Sequence, residues 1–339
     1  MTPELQCRQD MSPASFGNTR LQLARQHRLH LFAAPAIVRT TRRGTPGRSR
    51  SRAPAMFKQL ITVMCLLVAQ CAPGIASAAE SNVPAGTRVL ADMAYGPDPR
   101  QRFDVYIPPE ARNAPVLFLV HGGGWRRGWK DHPGLIPNKA DCWLPKGYIL
   151  VSTGYRLIPD ADPLAQARDI ARALAVAQKE APAWGGNPDR FVLMGHSAGA
   201  HLVALLSADP AVGQPFGVRR PLGAVLLDSG ALDVVRIMRS PRHPRLFDEA
   251  FGEDPAFWRA ASPQHRLTPA ALPMLAVCST RRPDDPCKQA RAMANEATRL
   301  RTRMEVLPAA LSHMAVNRDL GVPGAYTRQV DAFMESLLH

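Results

Sequence analysis

Short apolar runs alternate with longer segments of helical periodicity along this chain from about Thr87 onward. A continuous apolar run is typical of a strand covered on both faces, and apolar residues recurring every three or four positions predict a helix. The predicted strands are residues 103–107, 116–120, 148–152, 191–194, 222–227, 274–277 and 304–307. The predicted helices are residues 163–181, 198–208, 288–301 and 325–338. This alternation indicates an α/β fold with a mostly parallel central sheet, helices on both faces and a single domain.

A hydrophobic segment nearer the N-terminus has the layout of a secretory signal. Met56-Phe57-Lys58 supplies a charged start, residues 60–69 are apolar, and Ala76-Ser77-Ala78 forms an A-x-A cleavage pattern before Ala79. The apolar run is too short to span a bilayer, so we expect no stable membrane insertion.

This layout divides the chain into three parts. We expect residues 1–55 to be a non-structural extension, with Met56 as a possible true start, and residues 56–78 to be the signal peptide. Residues 79–339 would then be the folded protein, exported to the periplasm or the extracellular space.

The formal net charge of +14 comes mainly from the N-terminal part. Residues 1–78 hold 11 Lys or Arg against 2 Asp or Glu, and the rest of the chain holds 31 basic and 26 acidic residues. Because no basic stripe with interleaved aromatic residues occurs, we expect no nucleic-acid partner.

Three cysteines, Cys142, Cys278 and Cys287, lie in the expected mature chain. An odd number allows one internal disulfide at most, and export permits such a bond. The sequence leaves the choice of the pair open. No Cys/His spacing fits a structural zinc site, and neither a metal nor an organic cofactor is implied.

Candidate chemistry begins with Gly195-His196-Ser197-Ala198-Gly199, which follows a predicted strand and opens a predicted helix. A serine at such a sharp turn has strained backbone angles and needs small neighbours. A neutral hydroxyl is a weak nucleophile, so Ser197 would need a base for its proton and fixed donors for the oxyanion that forms.

A second glycine motif, His121-Gly122-Gly123-Gly124-Trp125, directly follows the strand at residues 116–120. Successive glycines let the backbone approach a substrate carbonyl and direct N–H groups toward it. We expect the amides of Gly123 and Gly124, with that of Ala198, to form an oxyanion hole.

The two motifs together resemble the α/β-hydrolase superfamily, in particular the esterase/lipase group with HGGG and GHSAG motifs (hormone-sensitive-lipase-like and BD-FAE-like carboxylesterases). The resemblance runs from about Thr87 to the C-terminus and includes Tyr155-Arg156-Leu157 and Asp169. It implies a triad in the chain order Ser, Asp, His. Asp169 and Arg156 are interpreted as structural.

His313 follows the last predicted strand, where the family carries its base. His201 is expected to have a packing or capping role, and His196 only flanks the serine. The acid should follow the strand at residues 274–277, which favours Asp285, with Asp284 as the other candidate.

The acid position departs from the family pattern, because no glycine precedes the Asp pair. Asp228 and Asp233, after the preceding strand, are outside candidates. Trp125 and Trp129 flank the glycine loop, and either could wall the substrate pocket; we assign Trp125 to substrate binding, with core packing as the alternative.

These residues predict a serine hydrolase of the carboxylesterase type that acts on a small-molecule ester. The alternatives are an amide or formamide hydrolase resembling the kynurenine formamidases and, from another class, a catalytically inactive hydrolase-like binding protein. Neither the natural ester nor the oligomeric state follows from the sequence.

The segment at residues 235–273 interrupts the alternation, and we expect it to pass over the active-site end of the sheet. Only about eight residues separate Ala79 from Thr87, where the alternating pattern begins, so we expect no helical cap there. A partial cover favours short acyl chains of about two to six carbons.

Overall fold

The apolar runs form the strands of one sheet in the computed structural model, which describes residues 83–339. The predicted extension, the signal peptide and the first residues after its cleavage site lie outside this range. The strands are β1 Arg88–Ala94, β2 Arg102–Ile107, β3 Ala114–Val120, β4 Ile149–Thr153, β5 Gly186–His196, β6 Gly223–Leu227, β7 Met274–Ser279 and β8 Met304–Ala309.

The sheet is mostly parallel, as the sequence predicts. Its strand order is β1-β2-β4-β3-β5-β6-β7-β8, and only the β1–β2 and β2–β4 pairs are antiparallel. From β4 to β8 every neighbouring pair is parallel, so the carboxyl ends of these strands lie along one edge. Loops at that edge carry the site in sheets of this kind.

Helices cover both faces of the sheet. They are α1 Pro137–Trp143, α2 Pro163–Glu180, α3 Ala198–Ala208, α4 Val234–Arg239, α5 Arg245–Phe251, α6 Pro255–Ala260, α7 Pro263–Arg266, α8 Pro286–Arg299, α9 His313–Arg318 and α10 Ala325–Glu335. β3 shows why both faces are apolar: Val116 and Phe118 belong to one buried cluster, and Leu117 and Leu119 belong to the other. Such a strand must be a continuous apolar run.

Two of the predicted helices, at residues 163–181 and 198–208, are present in the structure with nearly the predicted bounds. The helix at residues 198–208 has the predicted bounds, and the helix predicted at residues 163–181 ends one residue earlier. The segment at residues 235–273 holds α4 to α7, all of seven residues or fewer. Helix α1 was not predicted.

An ion pair joins the loop after β4 to α2. Arg156 donates from Nε (2.8 Å) and Nη2 (2.7 Å) to the buried carboxylate of Asp169, which also accepts from Gln101 Nε2 at 2.8 Å. Bidentate pairing with a further donor satisfies a carboxylate that burial would otherwise penalise. Both residues therefore have the structural role predicted for them.

One disulfide joins Cys278 at the end of β7 to Cys287 at the start of α8, and Cys142 is a free cysteine. Within residues 83–339, no helix combines the length and the apolar character needed to cross a membrane.

Candidate active site

Ser197 lies at a sharp turn between β5 and α3. Its backbone has φ 56° and ψ −118°, a conformation that is costly for a residue with a side chain and that is typical of functional sites. Gly195 must lack a side chain, because a Cβ there would lie 2.4 Å from the carbonyl oxygen of Gly199. The predicted strand–turn–helix setting of Ser197 is therefore present.

The predicted base lies within hydrogen-bonding distance of this serine. His313 is the first residue of α9, and its Nε2 lies 2.9 Å from Ser197 Oγ. Its Nδ1 lies 2.6 Å from Oδ2 of Asp228. Because a carboxylate only accepts, Nδ1 carries the proton, and Nε2 is free to accept from the serine hydroxyl. The imidazole is thus in the tautomer that a general base for Ser197 needs.

The carboxylate that binds His313 is Asp228, so the prediction of Asp285 as the triad acid is wrong. Asp285 is exposed and caps α8, where its Oδ1 accepts from the backbone N–H of Lys288 at 3.1 Å. Asp284 is also exposed, and its carboxylate pairs with Arg282.

The physical reason lies in the sheet. β6 and β7 are adjacent parallel strands, so a residue after either strand lies at the edge where His313 is found. Asp228 directly follows β6 and is fully buried. The last residue of β7, Ser279, adds no second carboxylate there; its backbone N–H donates to Asp228 Oδ1 at 2.8 Å. The sequence signal that could have identified Asp228 is the position of an acidic residue directly after an apolar strand.

Arg282, which sequence reasoning missed, lies beside this acid. Its Nη1 is 3.1 Å from both Oδ2 and the carbonyl oxygen of Asp228, and its Nε donates to Asp284 at 2.9 Å. Nη1 is also 3.1 Å from Nδ1 of His313, but both nitrogens carry protons, so this contact is not a hydrogen bond. The positive charge of Arg282 therefore balances the negative charge of Asp228, and Asp228 keeps its hydrogen bond to His313.

The surroundings of Asp228 favour its ionised form. Burial by itself raises the pKa of this carboxyl, but hydrogen bonds from His313 and Ser279, with the positive charge of Arg282, hold the pKa below its usual value. An ionised acid is the form that orients the imidazole and stabilises the imidazolium formed in the reaction.

The glycine loop and the start of α3 border the same cavity as Ser197. Gly123, Gly124 and Ala198 all line this cavity, and the two glycines have φ values of 121° and 59°. Gly122 is even closer to the serine, since a Cβ on it would lie 3.0 Å from Ser197 Cβ. The amide of Ala198 belongs to the first turn of a helix, where N–H groups lack intrahelical acceptors. The geometry is thus compatible with the predicted oxyanion hole.

Three further histidines near the site are neutral. Burial, with His313 nearby, lowers the pKa of His196 to about 3, and its Nε2 donates to the His313 carbonyl at 3.0 Å. Burial lowers the pKa of His121 and of His201 to about 4. His201 accepts from Trp125 Nε1 at 3.1 Å and donates to Ala261 O at 2.7 Å, which confirms its packing role.

The cavity over Ser197 has a volume of about 640 Å³. Trp125 is 3% exposed; it lines the cavity, and it also packs against Phe251 (ring centroids 4.9 Å apart). Phe247 and Leu246 from α5 line the cavity, so the segment at residues 235–273 does reach the site.

Exposed apolar side chains border this cavity. Within residues 83–339, the structure exposes four large apolar side chains, and three of them line the cavity: Trp129, Leu246 and Met314. We call these three residues the apolar rim. Exposed apolar side chains concentrated at a cavity mark a binding surface. Among the same described residues, no three His, Cys, Asp or Glu side chains are grouped to hold a metal ion.

The chain matches a known family and is similar in sequence to several curated proteins. The BD-FAE family matches residues 103–296, which include the glycine loop, Ser197 and Asp228. Esterase LipQ of Mycobacterium tuberculosis is 30% identical over 217 residues, or 60% of this chain and 51% of LipQ. Kynurenine formamidase of Danio rerio is 30% identical over 154 residues, or 45% of this chain and 49% of that protein.

The curated relatives are matched over only part of their length. The matched share ranges from 24% to 56% of each relative. A crystal structure of inhibited esterase B from Lactobacillus rhamnosis has a TM-score of 0.60 at 21% identity, and the alignment covers 77% of this chain and 91% of that chain. At this identity the likeness shows the α/β-hydrolase fold.

Proposed function

Because the chain belongs to the BD-FAE family, within the α/β-hydrolase esterases and lipases, we propose that it hydrolyses carboxylic esters through an acyl-enzyme on Ser197. The observation that carries this proposal is the continuous hydrogen-bond chain from Ser197 Oγ through His313 to Asp228. A buried carboxylate, a correctly oriented imidazole and a serine on a strained turn form the arrangement that activates a hydroxyl.

Acylation follows from these contacts. Nε2 of His313 accepts the proton of Ser197 as Oγ bonds to the ester carbonyl carbon, and the carbonyl oxygen becomes an oxyanion. The amides of Gly123, Gly124 and Ala198 hold this oxyanion. The tetrahedral intermediate then collapses, the bond to the alcohol oxygen breaks, and the imidazolium gives its proton to the leaving alcohol.

Deacylation repeats these steps with water. His313 takes a proton from a water molecule as the water oxygen attacks the acyl carbon, and the same proton returns to Ser197 Oγ when the acid product leaves. Asp228 remains ionised throughout and stabilises the imidazolium in each half-reaction.

The aromatic packing around the site supports a preference for short acyl chains. Trp125, Phe247 and Phe251 contact one another, with ring centroids 4.9 to 6.3 Å apart, and Trp125 and Phe247 line the cavity. A long acyl tail would need enclosed apolar space that these rings already occupy. We propose that acyl groups of about two to six carbons are preferred and that larger apolar parts of a substrate lie on the apolar rim.

An amide or formamide substrate is the second candidate. It is favoured by the alignment with kynurenine formamidase, which covers 45% of this chain. The same serine, base and oxyanion donors would serve a formamide, whose leaving group is an amine that also needs a proton from His313.

Turnover of a substrate panel tests these proposals. We expect kcat/KM for p-nitrophenyl esters to be highest at acetate or butyrate, lower at octanoate and lowest at palmitate, and N-formylkynurenine to be a poorer substrate. Ser197→Ala is the control, and it should abolish turnover and labelling by a fluorophosphonate while circular dichroism is unchanged. Labelling at another residue would contradict the assignment, and a maximum at octanoate or beyond would refute the acyl-length proposal.

We also propose that the protein is exported after cleavage between Ala78 and Ala79. The charged start, the apolar run and the A-x-A pattern support this proposal. The Cys278–Cys287 disulfide supports it as well, because such bonds persist in oxidising compartments. N-terminal sequencing of secreted material should give Ala79-Glu80-Ser81, and an uncleaved cytoplasmic protein would contradict the proposal.

A further inference from the structure

A lysine is buried beside the active site, and residues 83–339 provide no carboxylate partner for it. Lys139 lies in α1, and its side chain is only 1% exposed. Its Nζ donates to two oxygens of Asn317, the carbonyl at 2.7 Å and Oδ1 at 3.0 Å, and both acceptors are neutral. Burial lowers the pKa of Lys139 to about 7. Burying an amine in such a place costs folding free energy, which its two hydrogen bonds to Asn317 offset in part.

The acceptor of Lys139 lies on the helix that carries the catalytic base. α9 has six residues, with His313 at its start and Asn317 one turn later. The last carbonyls of a helix have no intrahelical donor, and Lys139 supplies one to the Asn317 carbonyl. Asn317 is held from a second side, because its Nδ2 donates to the carbonyl of Gly134 at 2.8 Å.

The two ends of α9 are thus fixed by different parts of the molecule. At its start, the His313 carbonyl accepts from His196 Nε2, and Ser312 caps the helix through the N–H of Ala315. At its end, the ammonium of Lys139 holds the helix from α1. A helix this short has little internal rigidity of its own, and a 1 Å error in the position of a catalytic group can cost about 10²-fold in rate.

We propose that Lys139 is a positioning residue for His313. Its ammonium group holds the carboxyl end of α9, and this contact keeps the imidazole between Ser197 Oγ and Asp228. The proposal rests on the proposed function of the same site, in which His313 activates Ser197.

Lys139→Met tests the proposal, because methionine has a similar length and apolar stem but cannot donate. The first readout is the rate of Ser197 labelling by a fluorophosphonate, which needs an activated serine but no particular ester. We expect labelling and kcat to fall about tenfold, by the same factor for p-nitrophenyl acetate and butyrate, with KM within twofold of the native value. Removing the buried amine and leaving the two Asn317 acceptors without a donor have opposite effects on the melting temperature, so circular dichroism is used only to show that the variant is folded.

Lys146→Met is the matched control. Lys146 is an exposed lysine shortly after α1 that pairs with Asp331, so the same substitution there leaves α9 untouched. It should keep labelling and kcat within twofold of native.

The outcomes distinguish a failure of the role proposed for Lys139 from a failure of the proposed function. A folded Lys139→Met protein with native labelling and kcat would overturn the proposal, and so would a rise in KM at constant kcat. If the native protein is labelled but cleaves no ester, the proposed function fails while the labelling rates still test Lys139. If Lys139→Met does not fold, Asn317→Ala removes the Oδ1 acceptor of Lys139, together with the Nδ2 bond to Gly134 and part of the cavity lining, and should slow labelling about threefold; a native rate would refute the role. Native protein that is not labelled at all would refute both proposals.

Discussion

Replacement of Asp228 by asparagine tests the corrected triad most directly. Oδ1 of Asp228 accepts from the Ser279 N–H, and Oδ2 accepts from His313 and Arg282. Asparagine keeps one oxygen and turns the other into an NH₂ donor. With its oxygen on Ser279, it presents NH₂ to Nδ1 of His313, so the imidazole proton must move to Nε2. An Nε2–H ring cannot take the proton of Ser197.

The expected loss can be bounded from the same contacts. The wrong tautomer costs about 10⁴-fold in kcat, or ~5 kcal/mol. If the amide flips, the tautomer is restored, but the buried Ser279 N–H then faces NH₂ and is unsatisfied, which costs about 1–3 kcal/mol. A flipped amide would therefore limit the loss to between about 5-fold and about 10²-fold. We expect Asp228→Asn to lower kcat by at least about 5-fold and by up to about 10⁴-fold, the larger loss applying if the amide keeps its oxygen on Ser279.

Steady-state hydrolysis of p-nitrophenyl butyrate measures this loss. Asp285→Asn is the matched control, since asparagine also caps helices well and kcat should stay within about twofold of native. Asp284→Asn should have a small effect through Arg282. A native-like kcat for Asp228→Asn, or a larger loss for Asp285→Asn, would show that the triad acid is not Asp228.

Three further outcomes follow from the structure. Folding lowers the pKa of Asp228, so the stability that its ionised form contributes is present above the unfolded pKa of about 4 and is lost as the pH falls through the folded pKa. Between pH 5 and pH 3, the melting temperature of Asp228→Asn should therefore fall less than that of the native protein. Equal decreases in the two proteins would contradict this linkage. Replacing Cys278 and Cys287 by serine should lower the free energy of unfolding in urea by about 2–3 kcal/mol, and an unchanged midpoint would refute the estimate. Gly122→Ala should nearly abolish labelling of Ser197, because the new Cβ would lie 3.0 Å from the serine Cβ; native labelling would show that the loop can move aside.

The sequence predicted the parts of the site that depend on local chain geometry. Ser197 needs a strand, a turn and a helix in succession, and all three leave local signals. His313 follows the last strand after a short loop at residues 310–312. The strands that are continuous apolar runs were predicted well, because a strand buried on both faces has no polar positions that interrupt its apolar run.

The acid could not be predicted in the same way, because its position depends on which of two neighbouring strands faces the base. The choice of Asp228 over Asp285 is made by tertiary contacts with Ser279 and Arg282, which have no local signature. Helix α1 was missed for a related reason. It buries Lys139, a residue that counts as polar in any pattern.

The apolar rim has a practical consequence for attaching the protein to a solid support. Adsorption to a hydrophobic resin would proceed through Trp129, Leu246 and Met314, and the entrance would then face the resin and be blocked. Amine coupling avoids this orientation. Within residues 83–339 the exposed lysines are Lys146, Lys179 and Lys288, and none of them lines the cavity over Ser197. Beads that couple through amines should therefore retain more activity per bound molecule than beads that bind by adsorption.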